Sequence, residues 1–146
     1  MLTNLLSNWF TLIGATATVG VCTYALWRGE RPERLTGGAA LVAWAATLAV
    51  FNRSDLINPQ AGILIVDVAF LAFLGWIAFS TGRMWASFAT AFQFLTVLSH
   101  LAITLDLRIR VLAYLTALAL WAYLVLGALL VGTIAVHRRR KLHPHK

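Results

Sequence analysis

Charge is what this sequence has least of. Only 12% of its 146 residues are charged and 60% are hydrophobic. A water-soluble domain of this size carries roughly 25% charged residues because it must cover its surface with them. Half that density excludes an ordinary soluble domain and makes lipid the expected solvent. Cysteine is nearly absent too. The single Cys22 rules out an internal disulfide, and one thiol makes no metal site by itself. It is expected as a small packing residue.

The usual chemical motifs are also missing. No Cys/His/carboxylate cluster has zinc spacing, and Gly37-Gly38 stands alone rather than in a phosphate-binding loop. A bis-histidine haem needs two buried histidines, and only His100 lies inside an apolar run. Ser99 adjoins His100, but neighbouring helical residues point about 100° apart, which argues against a serine–histidine pair. The sequence therefore predicts no enzyme, no cofactor and no metal.

What is present is apolar sequence divided by short charged breaks. The apolar runs cover about 9–27, 35–51, 60–80, 84–105 and 111–136, followed by a basic tail over 137–146. The N-terminal stretch has no Lys or Arg before its apolar run, unlike a cleavable leader, so the first helix is expected to be retained. The break at 28–34 contains Pro32, expected to stop a helix. Asn58-Pro59 resembles an N-cap followed by proline in a first turn. Ser80, Thr81, Gly82 and Arg83 suggest a tight turn between antiparallel neighbours. The last run would be about 39 Å long as a helix against about 30 Å of hydrocarbon, so it should tilt or project.

The fold class that follows is all-α, a polytopic membrane helix bundle of five transmembrane helices and a single domain. With the N-terminus outside, Arg28, Arg31, Arg34, Arg83, Arg138, Arg139, Arg140, Lys141 and Lys146 fall inside. Arg53, Arg108 and Arg110 fall outside. The excess inside fits the positive-inside rule, so the expectation is N-outside and C-inside, in a bacterial inner membrane. The net charge of +7 is then a matter of orientation, and nucleic acid is not an expected partner. Trp9 and Trp27 flank the first run, while Trp76 and Trp85 are expected in the inner aromatic belt. Trp44 and Trp121 are mid-run and are expected to fill packing gaps. Gly14, Thr18 and Cys22, and Ala39, Ala43 and Thr47, form small-residue faces suited to close helix contacts.

Three polar groups stand out within the apolar runs: Asp67, Gln93 and His100. An ionisable group at membrane depth costs at least a few kcal/mol, so it faces the protein interior or a water-filled cavity. On a helix, Gln93, Thr96, His100 and Thr104 fall within about 80° of arc. Reflection through the turn near Gly82 sets Asp67 opposite position 97, with His100 roughly 4–5 Å farther out. Side chains lean toward their own helix N-terminus, and here the two lean toward each other. A hydrogen-bonded Asp67–His100 pair is expected, with Gln93 or Thr96 as further partners. Such a pair is either polar glue worth about 0.6–2 kcal/mol or a proton-linked site.

In the tail, Arg138, Arg139, Arg140 and Lys141 are expected to contact anionic lipid headgroups or a partner. His143 and His145 make an incomplete metal site. The sequence favours a non-enzymatic accessory, assembly or scaffold subunit of a larger membrane complex. The alternative is a proton- or ion-conducting protein built on Asp67 and His100, as a homo-oligomer. The lipid bilayer is the partner common to both.

Overall fold

The computed structural model describes residues 2–50, 61–105 and 111–142. Every described segment is helical, in five helices: α1 (Leu2–Arg28), α2 (Arg31–Val50), α3 (Ala61–Thr81), α4 (Met84–Leu105) and α5 (Val111–Leu142). The expected Asn58-Pro59 cap, the cations Arg53, Arg108, Arg110 and Lys146, and the tail histidines His143 and His145 lie outside the described residues.

Two turns show how the sequence sets the helix ends. Between α1 and α2 the break is only Gly29 and Glu30, narrower than the charged stretch suggests. The Glu30 amide donates to Glu33 Oε2 at 3.0 Å, and the Arg34 amide donates to the Glu30 carbonyl at 2.9 Å. This is the acidic half of a capping box, with a carboxylate reaching back to an otherwise unpaired N–H. Pro32, expected to stop a helix, instead sits in the first turn of α2. A missing N–H costs nothing there, because that turn has no intrahelical acceptor to lose. Between α3 and α4, Gly82 adopts φ +62° and its amide donates to the Ala78 carbonyl at 2.9 Å. That left-handed cap turns the chain back within two residues, and glycine enters it without a Cβ clash.

Each helix packs on its neighbours in the chain, and α1 returns against α5 to close a ring. Among the described residues, three helices are long and apolar enough to cross a membrane: α3, α4 from Met84 to Ile103, and α5 from Leu112 to Leu142. The expectation was five. The first turn of α2 is spent on Arg31, Glu33 and Arg34, and the side chains of the first ten residues of α1 lie outside the described residues. The helix α5 also runs through the basic residues to Leu142, past the boundary expected at 136.

Several polar side chains are buried while many large apolar ones face outward. Glu33, Thr36, Gln93, Thr96, His100 and Thr133 are buried, whereas Phe79 is 95% and Leu105 87% exposed. The apolar core gathers Ala25, Leu74, Ile77, Trp85, Ala86, Ala89, Val125 and Leu129. Small residues permit the closest helix approaches. A Cβ on Gly37 would stand 3.1 Å from the Cys22 carbonyl oxygen, so α2 meets α1 through Gly37, while Ala43 and Thr47 face a central cavity. On Gly132 a Cβ would overlap the Trp85 indole. Trp85 is thus a buried core residue rather than part of a lipid-facing belt, while Trp76 is exposed.

Candidate functional site

The polar residues of α3 and α4 converge in the half of the bundle away from the Gly82 turn. Gln93 and His100 are seven residues apart, two helical turns, and so share one face of α4. Asp67 enters between them from α3. Its Oδ2 lies 2.9 Å from His100 Nε2, and its Oδ1 accepts from Gln93 Nε2 at 2.9 Å. The same Gln93 amide reaches the Asp67 backbone carbonyl at 3.3 Å, which fixes the orientation of its side chain.

A fourth member comes from α5. Tyr114 Oη lies 2.6 Å from His100 Nδ1, and its ring meets the imidazole edge-on with centroids 5.6 Å apart. With the neutral imidazole's proton on Nε2, donated to Asp67, Nδ1 accepts from the tyrosine hydroxyl. The result is a continuous chain of contacts from Tyr114 through His100 to Asp67, steadied by Gln93.

The remaining residues singled out in the sequence fall differently. Thr96 lines the same cavity, but its hydroxyl donates to the Phe92 carbonyl of its own helix at 3.3 Å and does not reach Asp67. The Thr104 side chain lies outside the described residues. Ser99 turns away from His100, donating to the Leu95 carbonyl and accepting from Trp121 Nε1 at 3.2 Å. Trp121 therefore makes a specific α4–α5 hydrogen bond rather than only filling space. Arg138, Arg139, Arg140 and Lys141 are exposed on the last turns of α5.

Asp67, Gln93 and His100 face a cavity of about 240 Å³ to which all five helices contribute. Its other walls include Thr18, Trp44, Thr47, Phe70 and Leu126. The His100 side chain is 6% exposed and that of Asp67 20%, so Asp67 is the more accessible of the pair.

A second polar cluster, which sequence reasoning missed, sits at the opposite end, about 25 Å away along α4. Glu33 is fully buried. Its Oε1 accepts from Arg83 Nη1 at 2.6 Å and from Trp85 Nε1 at 2.9 Å, and its Oε2 caps α2. Arg83 also pairs with Glu30, which Arg140 approaches at 3.7 Å. Burial alone lowers the Arg83 pKa, but the hydrogen bonds and charges of Glu30 and Glu33 outweigh it and hold the value above its ordinary one. The cluster ties the α1–α2 turn, the α3–α4 turn and α5 together. Its sequence signal was the spacing of Glu30 and Glu33 within a break that otherwise reads as solvated charge.

Among the described residues, no group of three or more His, Cys, Asp or Glu side chains is placed to hold a metal ion. No protein-family model, curated protein or solved structure matches the chain.

Proposed function

We propose that this chain is a five-span, multi-pass protein of a bacterial inner membrane, N-terminus outside and C-terminus inside. Its partly buried Tyr114–His100–Asp67–Gln93 chain serves as a non-enzymatic, proton-linked site. The membrane reading rests on the three long apolar helices and on the many large apolar side chains exposed on the bundle. Support for five spans comes from the ring, in which α1 and α2 pack alongside the longer helices. As 27- and 20-residue helices they reach about 40 and 30 Å. The orientation rests on the excess of Lys and Arg at the Gly82 end. Reporter fusions at residues 30 and 82 should read inside and one at residue 56 outside. Both ends of the chain on the same side would overturn the five-span topology.

The observation that carries the function is that Asp67 lines the central cavity with its side chain 20% exposed, instead of being sealed between two helices. A pair that serves only as glue has no need of that exposure. With two oxygens offering about four acceptor sites, and His100 and Gln93 meeting one oxygen each, the carboxylate retains capacity toward the cavity. Protons entering there meet a carboxylate already linked to an imidazole and a phenol.

Proton movement into liposomes containing the purified protein, driven by an imposed potassium diffusion potential, tests this directly. Wild-type protein should acidify the lumen faster than protein-free liposomes, and Asp67→Asn should fall to the protein-free rate with its helical circular dichroism unchanged. Equal rates for wild type and Asp67→Asn would overturn the reading.

A second reading, an accessory or scaffold subunit of a larger membrane complex, is favoured by the two-residue turns at Gly29-Glu30 and Gly82-Arg83. They leave little extramembrane surface on that side to carry chemistry. A partner co-migrating in mild detergent would support it.

A further inference from the structure

We propose that the cleft between the α3–α4 turn and α5 binds one anionic phospholipid. This rests on the reading of the bundle as membrane-spanning, and it is independent of the Asp67–His100 site.

The cleft has a volume of about 530 Å³ and lies at the Gly82 end of the bundle. Trp85 and Gly132 both line it, the indole packed directly on the glycine where a Cβ would overlap the ring. Two exposed apolar side chains, Met84 and Val131, form the walls on the side toward the apolar spans. At the outer edge stands Arg139, two helical turns beyond Gly132 on the same face of α5.

The charges are unequal in a way that selects the ligand. Arg83 also lines the cleft, but Glu30 and Glu33 neutralise it. The Trp85 indole N–H is likewise taken by Glu33. Arg139 is exposed and makes no ion pair among the described residues, and neighbouring Arg138 and Lys141 add positive potential. The cleft is therefore apolar at depth and cationic at its rim. A phospholipid has the matching arrangement: a phosphate for the Arg139 guanidinium and an acyl chain to lie along Val131 and Met84. Basic pockets between helices at the inner face of a membrane are suited to such headgroups.

Native mass spectrometry of the full chain, released from detergent with defined lipid added, tests the proposal. The probes are phosphatidylglycerol, phosphatidylcholine and inorganic phosphate. One phosphatidylglycerol should be retained in preference to phosphatidylcholine. Arg139→Gln should weaken its retention about tenfold, from the loss of a charge-assisted hydrogen bond to the phosphate. Arg138→Gln removes the same charge from a residue that does not line the cleft, and should change retention less than twofold. Equal effects of the two variants would mean only general attraction to the basic helix end and would overturn the site. Retention of both lipids alike would overturn it too. Displacement of phosphatidylglycerol by millimolar inorganic phosphate would show a soluble-anion site rather than a lipid site. None of these outcomes bears on whether the chain spans the membrane, which the reporter fusions decide separately.

Discussion

Replacing Glu33 with alanine is expected to destabilise the bundle by about 3 kcal/mol, the low end for breaking a buried ion pair by removing one partner. The size follows from what the side chain holds. Glu33 is fully buried, accepts from Arg83 and Trp85, and closes the first turn of α2. Without it, the Trp85 N–H is left unpaired inside the core, and Arg83 keeps only its contact with the partly exposed Glu30. Glu33→Gln keeps the volume and one acceptor oxygen but removes the charge, so its loss should be smaller than that of alanine. Unfolding in mixed micelles, followed by circular dichroism, measures both. A Glu33→Ala protein within about 0.5 kcal/mol of wild type, the range of neutral surface changes, would show that the cluster does not hold the turns together.

This cluster also marks where sequence reasoning falls short. Counting Lys and Arg to orient a membrane protein treats every charge between spans as solvated. Glu33 breaks that assumption because its three acceptor contacts come from residues about 50 positions away and from its own helix end. No local pattern announces the distant partners. Trp85 was misplaced for the same reason: next to Arg83 it reads as an interfacial aromatic, yet Gly132 on α5 makes room for it in the core. Pro32 was misread because a proline beside a break can end one helix or begin the next. The Glu33 cap decides which.

The Asp67–His100 contact was legible because α3 and α4 form a hairpin whose turn contains a single left-handed glycine. Depth along each helix can then be counted from Gly82, and few polar residues compete. Tyr114 was accessible by the same method. Reflection about the α4–α5 connection near position 108 sets His100 opposite roughly position 116, within one turn of Tyr114. It went unnoticed because a tyrosine near a helix end has an ordinary place at a membrane interface. Of the two further partners the sequence offers, Gln93 joins the pair and Thr96 does not, because a threonine hydroxyl on a helix readily bonds the carbonyl four residues back, as it does here.

The second prediction concerns that pair. Asp67→Asn and His100→Gln should each destabilise the bundle by about 1–2 kcal/mol, the upper part of the range for polar contacts between membrane helices. The double variant should lose less than the sum of the two, because each single change already weakens the shared 2.9 Å contact. Tyr114→Phe preserves the edge-on ring and removes only the hydroxyl that reaches His100 Nδ1. It should cost less than either, and its effect should shrink in the His100→Gln background. Strictly additive losses across this set would separate the residues energetically despite their proximity.

Energetic coupling alone would still suit a structural clamp, and the central claim is that Asp67 exchanges its proton through the cavity. Infrared difference spectra of the reconstituted protein, recorded as the bathing pH is stepped, address that carboxyl group itself. The proton-linked account predicts a protonated-carboxyl C=O band that appears and disappears reversibly with pH in wild type and is missing from Asp67→Asn. A spectrum in which wild type and Asp67→Asn respond identically to pH would contradict it.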